Sequence, residues 1–113
     1  MIEQSLTLPC GATLNNRICK AAMTEGLAGS TGVPGAALNQ LYGIWSDGGA
    51  GLLLSGNVQI DRDHLERPGN VVVDVEPDAA TKEALKAWAA AGTRSGNHFW
   101  AQISHAGRQC QKI

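Results

Sequence analysis

The stretch Gly51-Leu52-Leu53-Leu54-Ser55-Gly56-Asn57 decides the fold of this chain. Its apolar centre is unbroken, where a half-exposed antiparallel strand would alternate apolar and polar residues. It therefore reads as a parallel strand covered on both faces. Parallel neighbours need crossover connections, and both flanks supply one. On the amino side, Pro34 pre-sets the first turn of a helix. Leu38, Leu41, Tyr42 and Trp45 then share one buried face at three- and four-residue spacing, and Gly48-Gly49 ends the helix. On the carboxyl side, Arg67-Pro68-Gly69-Asn70 is a turn and Val71-Val72-Val73 a short extended piece. Pro77 opens a second helix, with Glu76 and Asp78 near its positive end. Leu85, Trp88, Ala89 and Gly92 form its packing stripe, and Arg94 with Gly96 marks its exit.

Two further strands frame this unit. One runs from about Arg17 to Met23; the other, from about His98 to Ile103, is expected to be buried through Phe99, Trp100, Ala101 and Ile103. Leu6-Thr7-Leu8 and Ala12-Thr13-Leu14 suit an amino-terminal hairpin about the turn Pro9-Cys10-Gly11. Strand, helix, strand, helix, strand is the pattern of βαβ units with right-handed crossovers. Three parallel strands alone leave two open edges and helices on one side only. The expected fold class is therefore α/β: the first three βα units of a (β/α)8 barrel, preceded by an amino-terminal β-hairpin. Such a barrel typically takes ~250 residues, so residues 1–113 are expected to be an incomplete one, cut short after the third strand.

Composition narrows the function classes. The 113 residues suffice for one small domain. Ten acids against nine bases give a net charge of −1, so no polycationic face advertises nucleic acid or an anionic membrane. No apolar run approaches the ~20 residues of a bilayer span, and Met1-Ile2-Glu3-Gln4 lacks the basic and apolar regions of a signal peptide. Cys10, Cys19 and Cys110 are odd in number and scattered, without C-x-x-C spacing. They argue against a disulfide framework or zinc site and for reduced thiols in a cytoplasmic protein.

Chemistry gathers where the strands end. Gln102-Ile103-Ser104-His105-Ala106-Gly107-Arg108-Gln109 places an amide, an imidazole, a glycine and a guanidinium just beyond an apolar run. That suits the rim of an α/β sheet, where ligands collect outside the carboxyl ends of strands. The glycine- and serine-rich loop from Thr24 to Val33 follows the first strand. Other polar residues have plainer readings. His64 and His98 show no partner pattern, and the charges from Asp61 to Arg67 read as a solvated loop. Trp45, Trp88 and Trp100 read as packing between helices and sheet.

Six pieces occur in a telling order: Asn16-Arg17-Ile18 leading to Ala21-Ala22-Met23-Thr24; Leu41-Tyr42 with Trp45; Gly48 to Leu53; Ser55-Gly56-Asn57-Val58; Glu66 to Val71; and Gln102 to Gln109. Together they resemble the old yellow enzyme and NADH:flavin oxidoreductase family, especially its 2,4-dienoyl-CoA-reductase-like branch. The resemblance implies FMN at the carboxyl face of the barrel, with hydride passing from NADH or NADPH through the flavin to an activated alkene, a small-molecule substrate. Carried over by position, it implies Ala22 and Met23 against the flavin ring, and the Thr24 hydroxyl donating near its carbonyl and N5 edge. It further implies Gly56 or Asn57 approaching the ring at the end of the second strand, and Gln102 on the pyrimidine edge. His105 and Arg108 fall near the loop and substrate side. The family's substrate-activating pair comes from a later strand, so no catalytic residue and no metal ligand is assigned here. The alternative is a non-catalytic truncated barrel that self-associates through open edges or pairs with a complementary fragment.

Overall fold

Residues 1–112 are described by the structure, a computed structural model. In chain order the elements are β1 (Leu6–Thr7), β2 (Thr13–Leu14), β3 (Cys19–Lys20), α1 (Ala36–Asp47), β4 (Leu52–Gln59), β5 (Val71–Val72), α2 (Ala79–Thr93) and β6 (His98–Ser104). A 3-10 turn over Gly107–Gln109 follows.

The apolar stretch identified above becomes β4, the centre of a parallel sheet. Cys19 and Lys20 of β3 pair with Leu52 and Leu53, while Val71 and Val72 of β5 pair with Val58 and Gln59. β6 runs along the opposite flank, from Leu52 paired with His98 to Gln59 paired with Ser104. β3 and β5 thus follow one another on one side of β4, with β6 on the other. The β4–β6 register shifts between Leu54 and Asn57. Ser55, fully buried there, mends the ladder: its hydroxyl accepts from the Gln102 amide at 2.9 Å and donates to the Gly56 carbonyl at 2.7 Å.

Both helices lie on one face of this sheet. Leu38 and Tyr42 of α1, Trp88 of α2 and Leu53 and Val58 of β4 form the buried core, with Leu85 and Phe99 packed against it. Tyr42 is its hub, stacked on Phe99 (4.7 Å between centroids) and edge-on to Trp45 (5.0 Å) and Trp88 (5.3 Å). Such pairs contribute roughly 0.5–1.5 kcal/mol each beyond the apolar area they bury. A buried polar knot locks the helix ends: Ser46 donates to Asn97 Oδ1 at 2.6 Å and accepts the Ser95 amide at 3.0 Å. At the amino end β1 and β2 pair antiparallel, Leu6 opposite Leu14 and Thr7 opposite Thr13. His98 Nε2 meets the Thr13 carbonyl at 3.1 Å, tying this ribbon to β6.

Several expectations need correction. The strand over 17–23 shrinks to Cys19–Lys20 because side chains intercept the ladder above it. Lys20 Nζ takes the Leu54 carbonyl at 2.7 Å, and the Gly56 amide goes to Glu25 and Tyr42. The strand over 51–57 extends to Gln59, since β5 and β6 pair with it there, so Gly56 and Asn57 stand inside the strand rather than at its end. β6 is not buried: Trp100 is 41% and Ile103 64% exposed, and Ala101 is exposed too. It is an edge of the described sheet, and the helix layer covers only its Phe99 end. Trp100 is therefore not a helix–sheet packing residue.

Pro34 and Pro77 each stand just before an N-cap, Gly35 and Asp78, rather than inside the first turn. The Asp78 carboxylate accepts the Thr81 amide at 2.8 Å, which caps α2. Of the α1 face, Leu38 and Tyr42 are fully buried while Leu41 and Trp45 are half-buried. On α2, Ala89 is exposed, and the buried stripe runs through Leu85, Trp88 and Gly92.

Candidate functional site

The chain leaving β3, the middle of β4 and the carboxyl half of β6 meet at one place. Gln102 Nε2 donates to Asn57 Oδ1 at 3.1 Å, and Asn57 Nδ2 donates to Thr24 Oγ1 at 3.3 Å. Thr24 donates in turn to Glu66 Oε2 at 3.2 Å, and Arg67 Nε donates to the other carboxylate oxygen at 3.0 Å. Two strands and the segment leaving β3 thus present one continuous polar row that ends on the loop bearing Glu66. Ala22 is half-buried and Met23 54% exposed beside it in sequence. The row's amides keep spare capacity: Gln102 Oε1 and one proton on each amide nitrogen have no partner among the described residues.

Gly56 lies outside that row. A Cβ there would come within 2.5 Å of the Met23 carbonyl and of the Glu25 carboxylate, so only glycine lets the chain leaving β3 cross so closely. Its amide is shared by Glu25 Oε1 at 3.0 Å and the Tyr42 hydroxyl at 3.1 Å, and Tyr42 donates to Glu25 at 2.5 Å. Burial chiefly, then the Glu25 carboxylate, pushes the Tyr42 hydroxyl far above its ordinary value. Lys20 Nζ sits 4.5 Å over the Trp45 ring, and burial lowers its pKa despite the opposing pull of Glu25. This knot fixes the backbone that carries Thr24.

A second cluster lies farther along the rim. His64 Nδ1 and His105 Nε2 both meet Asp61 Oδ2, at 2.8 and 3.2 Å, and their rings stack at 6.1 Å. The His64 hydrogen bond, then the Asp63 backbone amide donating at 3.0 Å, and last His105 hold the Asp61 carboxyl below its usual range. The Gly107 amide donates to His105 Nδ1 at 3.0 Å, so the proton of that ring is on Nε2 and points at Asp61. Three ligand-type atoms lie within 4.8 Å of one another. Yet metal binding would need the Nε2 lone pair that the Gly107 contact denies. Arg108 is exposed on the 3-10 turn.

Sequence reading missed the roles of four residues. Glu66 and Asp61 fall within charges read as a solvated loop, yet each organises a site residue. His64 and His98 have partners after all. The Arg67-Pro68-Gly69 turn packs against Gly26 of the 24–33 loop. Gly69 (φ 86°) packs directly on the Gly26 carbonyl, and the Ala28 amide donates to the Gly69 carbonyl at 2.9 Å. Glu66 is thereby carried to Thr24. A cavity of about 260 Å³ opens beside it, lined by Ser30, Arg62, Leu65, Glu66 and Arg67. Burial by itself would raise the Glu66 carboxyl, but Arg67, then Asn70, and least of all Thr24 hold it below its usual value.

No family model matches the chain. The NADH-dependent flavin oxidoreductase iliE of Neonectria sp. (strain DH2) is 40% identical over 105 residues, covering 92% of this chain and 14% of that protein. Its counterpart iliE of Hypocrea jecorina (strain QM6a) is 35% identical over 106 residues, covering 93% and 26%. The old yellow enzyme homologue from Zymomonas mobilis superposes with a TM-score of 0.77 at 25% identity, over 92% of this chain and 28% of that one. The chain resembles the old yellow enzymes. Its α/β fold, a parallel sheet under a helix layer, matches those of old yellow enzymes over a portion of their length. The chain spans 14% to 26% of the curated flavin oxidoreductases it matches. Among the described residues no helix is long and apolar enough to cross a membrane.

Proposed function

We propose that this chain forms the first three βα units of an FMN-binding (β/α)8 barrel, in an NAD(P)H-dependent flavin oxidoreductase of the ene-reductase type. The observation that carries the reading is the hydrogen-bonded row Gln102–Asn57–Thr24, drawn from β6, β4 and the segment that leaves β3. Its chemistry fits a flavin. The pyrimidine edge of the ring alternates acceptors and donors, and Gln102 offers a free carbonyl and a free N–H to such an edge. Asn57 adds one N–H. Ala22 and Met23 offer apolar cover, and Gly56 lets the strand exit approach closely enough to place them. When bound, FMN supplies the relay of hydride from NADH or NADPH to an activated alkene.

The chain's own contribution is to bind and orient. The Glu25–Tyr42–Gly56 knot holds the segment bearing Thr24, and the Asp61–His105 contact holds the loop bearing Arg108 on the substrate side. The full-length protein is expected to purify yellow, bleach on addition of NADH or NADPH, and recolour when an α,β-unsaturated carbonyl compound is supplied. Colourless protein that FMN cannot reconstitute contradicts the reading.

The uncovered β6 edge supports a second reading for the chain alone. Trp100 and Ile103 lie on opposite faces of that strand by its alternation, and both are exposed. The 113-residue chain expressed by itself is expected to self-associate and bind FMN weakly. A monodisperse monomer with tight FMN binding, measured by light scattering and flavin fluorescence, contradicts this.

A further inference from the structure

We propose that Lys20 is a positioning residue whose ammonium, fixed at the root of the segment Ala22–Thr24, biases the bound flavin toward its reduced form. The inference rests on the flavin reading above and gives a redox role to a residue that the reading leaves unused.

Lys20 is the last residue of β3, and its side chain is half-buried, turned back on the backbone. Nζ donates to the Ala21 carbonyl at 2.7 Å and to the Leu54 carbonyl at 2.7 Å. An ammonium carries a third proton, and Nζ has two aromatic faces beside it. It lies 4.5 Å from the Trp45 ring centroid and 5.7 Å from that of Tyr42. These contacts hold the charge at one place instead of leaving it on a mobile stem. Among the described residues Lys20 forms no ion pair. Burial lowers its pKa and Glu25 partly opposes this, but the Glu25 carboxylate is engaged by the Tyr42 hydroxyl and the Gly56 amide. Arg67, by contrast, is paired with Glu66 at 3.0 Å.

The Ala21 carbonyl belongs to the peptide that leads into Ala22, the first residue set against the ring in the flavin reading. A flavin gains negative charge on reduction, and a fixed cation close to it favours that state. The aromatic surroundings screen the charge less than water would. Removing it should therefore shift the reduction equilibrium of the bound flavin about tenfold toward the oxidised form. For a two-electron couple that is a potential lower by about 30 mV.

The test is potentiometric titration of the flavin in the full-length protein, comparing wild type with Lys20→Met, Lys20→Gln and Lys20→Arg. Both uncharged variants should show the lowered potential. Lys20→Gln keeps an N–H for the carbonyls and carries the test alone should Lys20→Met fail to fold. Lys20→Arg keeps the charge and should match wild type. Yellow uncharged variants at wild-type potential or above overturn the proposal, because Lys20 would then act only as a staple between β3 and β4. So does a fall in Lys20→Arg as large as in Lys20→Gln, since lost shape rather than lost charge would explain both. Wild-type protein that FMN cannot turn yellow overturns the flavin reading itself, and this proposal with it.

Discussion

Gly56 and Tyr42 carry more of the site than their positions in the sequence suggest. A methyl group at Gly56 would press on the Met23 carbonyl, which is backbone and cannot swing aside. Gly56→Ala is expected to destabilise by about 1–3 kcal/mol, as overpacking does, and to lower flavin content in the full-length protein. Denaturant unfolding and the flavin-to-protein absorbance ratio check both. Tyr42→Phe removes the hydroxyl's bonds to Glu25 and the Gly56 amide while those two keep each other, a cost of about 0.5–1.5 kcal/mol per bond in denaturant unfolding.

The Tyr42 hydroxyl also fixes a pH dependence. Its pKa is raised in the fold from an ordinary 10.0, so the neutral form is the one the fold favours. Its stabilisation is fully present below pH 10 and is lost as pH rises beyond that, because the unfolded chain ionises first. Wild type should lose stability above pH 10 more steeply than Tyr42→Phe, and parallel curves contradict this. Thr24, Asn57 and Gln102 could be noticed in the sequence because each is a polar residue beside an apolar strand. Glu66 could not. It lies 42 residues from Thr24 in a charged stretch, and no spacing rule links a loop carboxylate to a hydroxyl that far away.

The helices and the central strand were legible at the scale of elements because their periodicities differ and their ends carry glycine and proline. What misled was the assumption that an apolar run must be covered. β6 is as apolar as a buried strand, but burial depends on what stands beside it, and α2 reaches only Phe99. The shortness of β3 was equally hidden, since it follows from Lys20, Glu25 and Tyr42 taking backbone groups that a neighbouring strand would otherwise use.

The contact between the helix ends gives a test of its own. Ser46→Ala would leave Asn97 Oδ1 and the Ser95 amide unpaired, at about 1–3 kcal/mol, without touching the polar row. Beside it the Arg94 guanidinium, then Ser95, holds the Asp47 carboxyl down at about 2. A depressed carboxyl stabilises the fold above its ordinary pKa and stops doing so as pH falls through the folded value. Thermal midpoints of wild type and Asp47→Asn should therefore differ at neutral pH and converge between pH 4 and 2. A constant difference down to pH 2 contradicts the assignment.

For the whole molecule, one sheet face is packed under two helices while its β6 flank stays bare, and a row of amides and a hydroxyl runs from β6 across β4 to the segment leaving β3. Old yellow enzymes share this arrangement of sheet and helices over a portion of their length. The central claim is that the row seats a flavin. It is tested most directly by FMN affinity in the full-length protein, measured by quenching of flavin fluorescence for wild type, Asn57→Ala and Gln102→Ala. Each substitution removes a group with unspent hydrogen-bonding capacity toward the ligand, so each should weaken binding about tenfold or more, as loss of roughly 1.4 kcal/mol or more requires. Wild-type affinity in both variants, with their folds intact by circular dichroism, would contradict the account.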